Sequence, residues 1–238
     1  MAINGDDYDR VIRSTMVELT RTFATATDVE DILAGVTAAA VELIDGVDEA
    51  DVLLISDGQF RTMTPTSPLA TQLDAAQQRF NEGPCLQAAI ADAVIRCPDL
   101  RDDPRWPQFA AAAVDAGVYS MLSYQLYTHH SGAGTLNLFG RNPRTFDVEA
   151  QAIGAMLATH AATALIAANK QHQFESALAG RDLIGQAKGI FMERFDVDAV
   201  RAFELLSKLS QNTNTPVRVI AQQIIDRNVP VEAVRGFH

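Results

Sequence analysis

The side chains with most chemical potential are few and widely spaced. Cys85 follows Gly83-Pro84 at an expected helix start, where the positive end of the helix dipole would lower a thiol pKa and favour redox or nucleophilic chemistry. The same residue type also serves as a small buried apolar filler. Cys97 lies twelve positions on, a spacing that does not by itself bring two sulfurs together. His129 and His130 fall in a glycine-bearing loop, His129 to Gly134, and read as a solvent-exposed pair. Trp106, between Pro104 and Pro107, either lines a pocket or staples a loop. No HExxH, CxxC or dense carboxylate cluster suggests a metal, and nothing calls for a cofactor. No catalytic set emerges, so the expectation is a protein that is not an enzyme.

A different chemistry is legible between Arg181 and Asn228, where helical apolar spacing runs in three pieces. The breaks fall at Phe195-Asp196 and at Gln211 to Thr215. Asp196 is the expected N-cap of the second piece, and Asn214 or Thr215 before Pro216 that of the third. On a wheel of the first piece, Ile184, Ala187 and Phe191 form a core stripe flanked by Leu183, Ile190 and Phe195. Arg181 and Lys188 align on a neighbouring face with Gly185, Gly189 and Met192. Two cations beside two residues without side chains let a polyanion approach the backbone closely. A solvated charged face with packing glycines fits the same pattern.

The motifs IGQAKGIFMERF, AFELLSKLS, an Asn/Thr-rich turn and VRVIA, in that order over about fifty residues, resemble the ANTAR family of transcription antitermination regulators. Phe191 stands where a leucine is common, which keeps the apolar role. The resemblance implies a three-helix module that binds RNA, gripping paired (tandem) stem-loops of nascent transcripts. Arg181, Lys188 and Arg218 would supply the electrostatic grip. Ser210, Asn212, Asn214 and Thr215 would offer short donors and acceptors beside the third helix, with Gln186 and Gln222 at the rim. Without the resemblance, the Asn/Thr run reads as an ordinary interhelical turn.

The elements that must position these residues begin with helical spacing from Tyr8 to Ala24. Thr27 to Glu30 then reads as a capping box for a helix burying Ile32, Leu33, Val36, Ala40, Leu43 and Ile44. Strands are expected at Val52 to Ser56 and Phe60 to Met63 across an Asp57-Gly58 turn. Helices are expected at Leu69 to Phe80, after Pro84, and at Phe109 to Ala116. Strands at Val118 to Tyr127 and Thr135 to Gly140 follow, then a helix from Phe146-Asp147 past Asn169. This order indicates an α+β fold, an antiparallel sheet with flanking helices. GPCLQA, PDLRDDPRW, Gly117 to Ser120, GTLNLFG and Phe146-Asp147 resemble the GAF sensory domains in their order. That likeness implies a six-stranded sheet with a small-molecule pocket on one face. Cys85 and Trp106 are its weak lining candidates.

The expected division is a GAF-like sensory domain with its N-terminal helix at 1–168, a connector helix at 169–179 and the all-α module at 180–238. Alanines and a wide apolar stripe in the connector call for a partner, and the expectation is a parallel homodimer with Gly180 as a hinge. The net charge of −11 is uneven: from Ser176 onward there are 8 Lys/Arg and 7 Asp/Glu, so the acidity lies in the rest. Such a body suppresses sequence-blind binding to nucleic acid. The MAINGDDYDR start lacks a secretory pattern, and no uninterrupted apolar run reaches the ~18 residues that read as a membrane span. Two cysteines fit a reducing compartment, so the expected localisation is cytoplasmic, away from the membrane. The alternatives are a ligand-sensing or dimerising signalling protein whose tail binds protein, and a redox sensor built on Cys85.

Overall fold

The computed structural model describes residues 13–226, apart from 15, 18, 22–27, 57, 91–92 and 130–131. Chain contacts divide it into two compact units, Met1–Ala168 and Asn169–His238. In the first unit the expected helix at Tyr8–Ala24 lies only partly among the described residues, and those described there are helical. Helix α1 (Val29–Leu43) is capped by Asp28, whose carboxylate accepts from the Glu30 N–H. Thr27, the expected cap, lies outside the described residues. Asp28 provides the short acceptor that the first-turn N–H groups need.

Strands β1 (Glu49–Ser56) and β2 (Gln59–Met63) follow, then helices α2 (Pro68–Phe80) and α3 (Pro84–Ile90). Strand β3 (Val94–Cys97), helix α4 (Pro107–Asp115), and strands β4 (Ser120–His129) and β5 (Gly132–Gly140) complete the sheet. Its order is β2-β1-β5-β4-β3, antiparallel throughout. Five strands stand among the described residues where the family likeness implied six. The fifth, β3, has no counterpart in the sequence reading. It is a four-residue edge strand ended by Pro98, with Val94 and Arg96 exposed. The expected His129–Gly134 loop is mostly strand, since β4 and β5 run into it; His130 lies outside the described residues.

Alternate strand residues enter two cores. Val52, Leu122, Tyr124, Leu136 and Leu138 meet α1 and Ile153, Leu157 and Ala161 on one face. Leu53, Met121 and Phe139 meet Leu73, Cys85, Trp106 and Phe109 on the other. A sheet covered on both faces exposes little of its central strands, so β1 and β5 read as nearly continuous buried runs. Tyr124 donates its hydroxyl to the Gln151 carbonyl at 2.9 Å, and its ring lies where a Cβ at residue 154 would stand, so only Gly154 fits.

Helix α5 (Val148–Phe195) runs 48 residues without interruption, so Gly180, the expected hinge, sits in regular helix. It is also long and apolar enough to meet the length and composition criterion for a membrane span, which the sequence reading did not anticipate. Its apolar residues Ala150, Ile153, Leu157, Ala158, Ala161 and Leu165 are instead buried in the core of the first unit.

In the second unit, α5 ends at Phe195 and is followed by α6 (Ala199–Thr213) and α7 (Val217–Ile225). Ala187, Phe191, Ala202, Leu205, Leu206, Leu209, Ile220, Ala221 and Ile224 form the core of this three-helix module. The core stripe read from the wheel is therefore present, with Ala187 and Phe191 at its centre and Ile184 half-buried at its flank. Phe191 and Phe195 meet edge to face at 5.3 Å, a geometry that suits the ring quadrupoles.

Candidate nucleic-acid interface

Two left-handed residues set the turns of the module. Asp196 (φ 50°) stops α5, and the Val197 N–H closes back onto the Met192 carbonyl. The expected cap Asp196 is thus a terminator, and Asp198 is the true N-cap of α6, accepting from the Arg201 N–H at 2.8 Å. Asn214 (φ 48°) repeats the device at the end of α6, with the Thr215 N–H on the Ser210 carbonyl at 3.0 Å. Neither Asn214 nor Thr215 caps α7. Pro216 takes that position and offers no side-chain acceptor, so the first N–H groups of α7 have no capping side chain.

These turns decide which expected site residues are available. Ser210 donates to the Thr215 carbonyl at 2.6 Å, and the Thr215 hydroxyl donates to the Thr213 carbonyl at 3.1 Å. Both hydroxyls are engaged in holding the turn. Asn212 and Asn214 have exposed side chains. Gln222 is exposed and donates to Asp226 at 2.9 Å, while Gln186 is exposed on the opposite side of α5 from the core stripe.

The cations gather differently from the wheel reading. Arg181 from α5 and Arg218 from α7 line one open groove of about 720 Å³, together with Ser176, Ala177, Gly180, Ile184 and Phe203. Arg218 donates to the Ser176 hydroxyl at 3.3 Å, and its stem passes 3.6 Å from where a Cβ at Gly180 would stand. Lys188 is half-buried and does not line that groove, although it shares Arg181's side of the helix by spacing. Gly185 and Gly189 are exposed, and a Cβ added at either meets nothing within 4 Å. Their surface is open to a large ligand.

Phe203 was not singled out from the sequence, yet it stands in the groove with 46% of its surface exposed. The signal was present. Ala202, Leu205, Leu206 and Leu209 take the core stripe at i, i+3, i+4 and i+7, and Phe203 is an aromatic one step off it.

The weak candidates of the first unit are buried. Asp51, Asn137 and Ser123 sit side by side across β1, β5 and β4 and are fully buried. Asn137 donates to Asp51 Oδ1 at 2.8 Å. From α2, Asp74 accepts from the Thr62 hydroxyl at 2.8 Å, and Gln77 reaches both Asp74 and the Cys85 sulfur. Burial, and then the Asp74 charge, push the Asp51 carboxyl well above the usual range. Burial likewise lifts Asp74 to about 7. Asp51 Oδ2 meets no donor among the described residues.

Cys85 is fully buried, and burial followed by the nearby Asp74 and Asp51 charges raises its thiol pKa far above the ordinary value. The expected lowering by the helix dipole is overturned, because desolvation dominates for a group with no water contact. A buried thiol shifted in this direction has the character of the small apolar filler that the sequence also offered. Trp106 is 5% exposed among Phe109, Leu100 and Cys97, with the Arg105 guanidinium 4.1 Å above its ring. It packs the core.

Comparison with known proteins agrees with this two-part organisation. A GAF domain family model matches residues 26–166, more than half of the chain, and an ANTAR domain model matches residues 172–225. The chain belongs to the GAF domain family and carries an ANTAR domain after it: a regulator with a sensor domain. Neither domain is a catalytic type. No curated protein matches the chain. Among solved structures it is similar to a GAF domain from a phosphoenolpyruvate-protein phosphotransferase of Coxiella burnetii, at 17% identity and TM-score 0.53, covering 68% of this chain and 96% of that one. It is also similar to a free methionine-R-sulfoxide reductase of Neisseria meningitidis, at 19% identity and TM-score 0.55, covering 72% and 98%. A third is the LuxR-family transcription factor CepR2 of Burkholderia cenocepacia, at 15% identity and TM-score 0.52, covering 65% and 93%. At these identities the likeness concerns the fold alone.

Proposed function

We propose that this protein is a cytoplasmic transcription antitermination regulator whose C-terminal module binds paired stem-loops of nascent RNA under control of its GAF domain. The observation that carries the reading is the meeting of Arg181 and Arg218, from helices far apart in sequence, at one open groove of the ANTAR-matched segment. Lys188 and the uncovered Gly185 and Gly189 extend the surface along α5. A short helical face cannot enter the deep, narrow major groove of A-form RNA, whereas loop bases are accessible to it. Two modules in a homodimer would hold two loops of one transcript and gain affinity through effective concentration. The exposed Phe174 and Leu178 on the connector suit such pairing. The chain acts without catalysis in this reading, and a small molecule in the GAF domain would bias the module's affinity.

The test is binding of the full chain to RNAs carrying one or two hairpins, with sedimentation to fix the oligomer. Tight binding of the two-hairpin RNA by a dimer supports the reading. Equal, weak binding of both RNAs and of duplex controls contradicts it.

A further inference from the structure

The groove at Arg181 and Arg218 has a chemistry more specific than a positive surface. Its wall is an aromatic ring, Phe203, nearly half exposed on a helix whose other large apolar side chains are mostly buried. The two guanidiniums that line the groove with that ring come from different helices, α5 and α7. Arg218 donates to the Ser176 hydroxyl, and its stem passes alongside Gly180. Arg181 is exposed and lines the groove, and it makes no hydrogen bond or ion pair among the described residues. The volume of about 720 Å³ falls within the range of small-ligand sites, roughly 300–1,000 Å³.

We propose that this groove is a single-nucleotide subsite: one unpaired loop base stacks on Phe203, and its flanking phosphates lie on Arg181 and Arg218. The proposal deepens the RNA-binding reading and rests on it. Planar guanidiniums hold phosphate oxygens in a fork geometry, and an exposed ring offers its face to any base. Charge complementarity favours this occupant. The groove's side chains supply two cations and no carboxylate, whereas the chain as a whole carries −11. Stacking also makes the subsite tolerant of base identity, because every base has a π-face; sequence choice would come from elsewhere on the module.

The experiment uses the full chain and a pool of RNAs with two hairpins and randomised loops. The tightest-binding member then carries 2-aminopurine at successive loop positions. The expected result is one loop position whose fluorescence is quenched on binding, with the quench lost in Phe203→Leu and kept in Phe203→Trp. Phe203→Leu should weaken affinity about 5-fold or more, as loss of one base stack does. Arg181→Ala and Arg218→Ala should each weaken binding and make the salt slope shallower by about 0.7. Unchanged affinity and quench in Phe203→Leu would overturn the subsite while leaving RNA binding intact. Absence of RNA binding by the unaltered chain would remove both. If Phe203→Leu instead changes helicity or sedimentation, the ring belongs to packing or to a second copy of the chain, and the subsite is wrong.

Discussion

The two units treat their polar side chains in opposite ways. In the sensor unit, Asp51, Asp74, Gln77, Ser123 and Asn137 are buried between the sheet and α2, where Asn137 bonds to Asp51, Gln77 to Asp74 and Cys85, and Ser123 meets the Cys85 sulfur. In the tail, Arg181, Arg218, Asn212 and Asn214 stand exposed around a groove and its nearby turn. Burial moves protonation equilibria, so the sensor interior is sensitive to pH. Exposed charges are screened by salt, so the tail should respond to ionic strength.

The strongest way to break this contrast is to unfold the tail alone. Leu206 is fully buried in the small core of the module, and Leu206→Ala should cost about 2–5 kcal/mol. For a core of so few residues that approaches the whole stability, so urea unfolding followed by helicity should show an early transition absent from the unaltered chain. A single transition unchanged in midpoint would mean that the module draws its stability from elsewhere.

The next effect belongs to the sensor interior. Burial favours the neutral form of Asp74, so the folded chain keeps a proton that the unfolded chain releases near pH 3.8. That contribution is fully present below this value and is lost as pH rises toward about 7; the raised Asp51 acts in the same direction. The groups facing the pair are Thr62, Gln77, Asn137 and Cys85. The urea midpoint of the sensor transition should therefore fall between pH 5 and pH 8. Asp74→Asn should flatten the fall, and an identical slope in that variant would show that other groups carry it.

A smaller effect separates the two roles of glycine in the tail. Gly185 has open space where a Cβ would stand, so Gly185→Ala should stabilise the helix by about 0.5–1 kcal/mol. If RNA approaches the backbone there, the same change weakens RNA binding. Opposite signs in melting and in affinity sharpen the account, whereas a gain in both would place the RNA on another face. Asp198→Ala, which removes the cap of α6, should cost about 1 kcal/mol in module stability and leave the sensor transition unmoved.

Much of this arrangement could be read in advance because local signals were strong. The Phe195-Asp196 break, the Ala187-Phe191 stripe and the order of helices and antiparallel strands all follow from spacing. What escaped had a physical reason in each case. Asp196 and Asn214 look like caps, because aspartate and asparagine favour both helix starts and left-handed ends; position relative to the preceding helix decides between them. Strand β3 is too short and too exposed at Val94 to give a pattern. Asp51, Ser123 and Asn137 are polar at strand positions that would face water in a one-sided sheet, and only the second helical layer buries them. Of the two readings of Cys85, the buried filler matches its burial; the lowered thiol pKa does not, because a helix dipole is a local property, whereas desolvation depends on α2 and β4 packing around the sulfur. Arg218 is visible as a cation in the sequence, but its meeting with Arg181 and Phe203 needs three helices in place.

In the proposed function, transcripts bind at the tail groove. Anisotropy titration of the full chain with a two-hairpin RNA, repeated across salt concentrations, tests this directly through the Arg181→Ala/Arg218→Ala double variant. The predicted result is at least a tenfold loss of affinity and a salt slope shallower by about 1.5, while Arg79→Ala in the sensor unit binds like the unaltered chain. Equal affinity and equal slope for the double variant would contradict it.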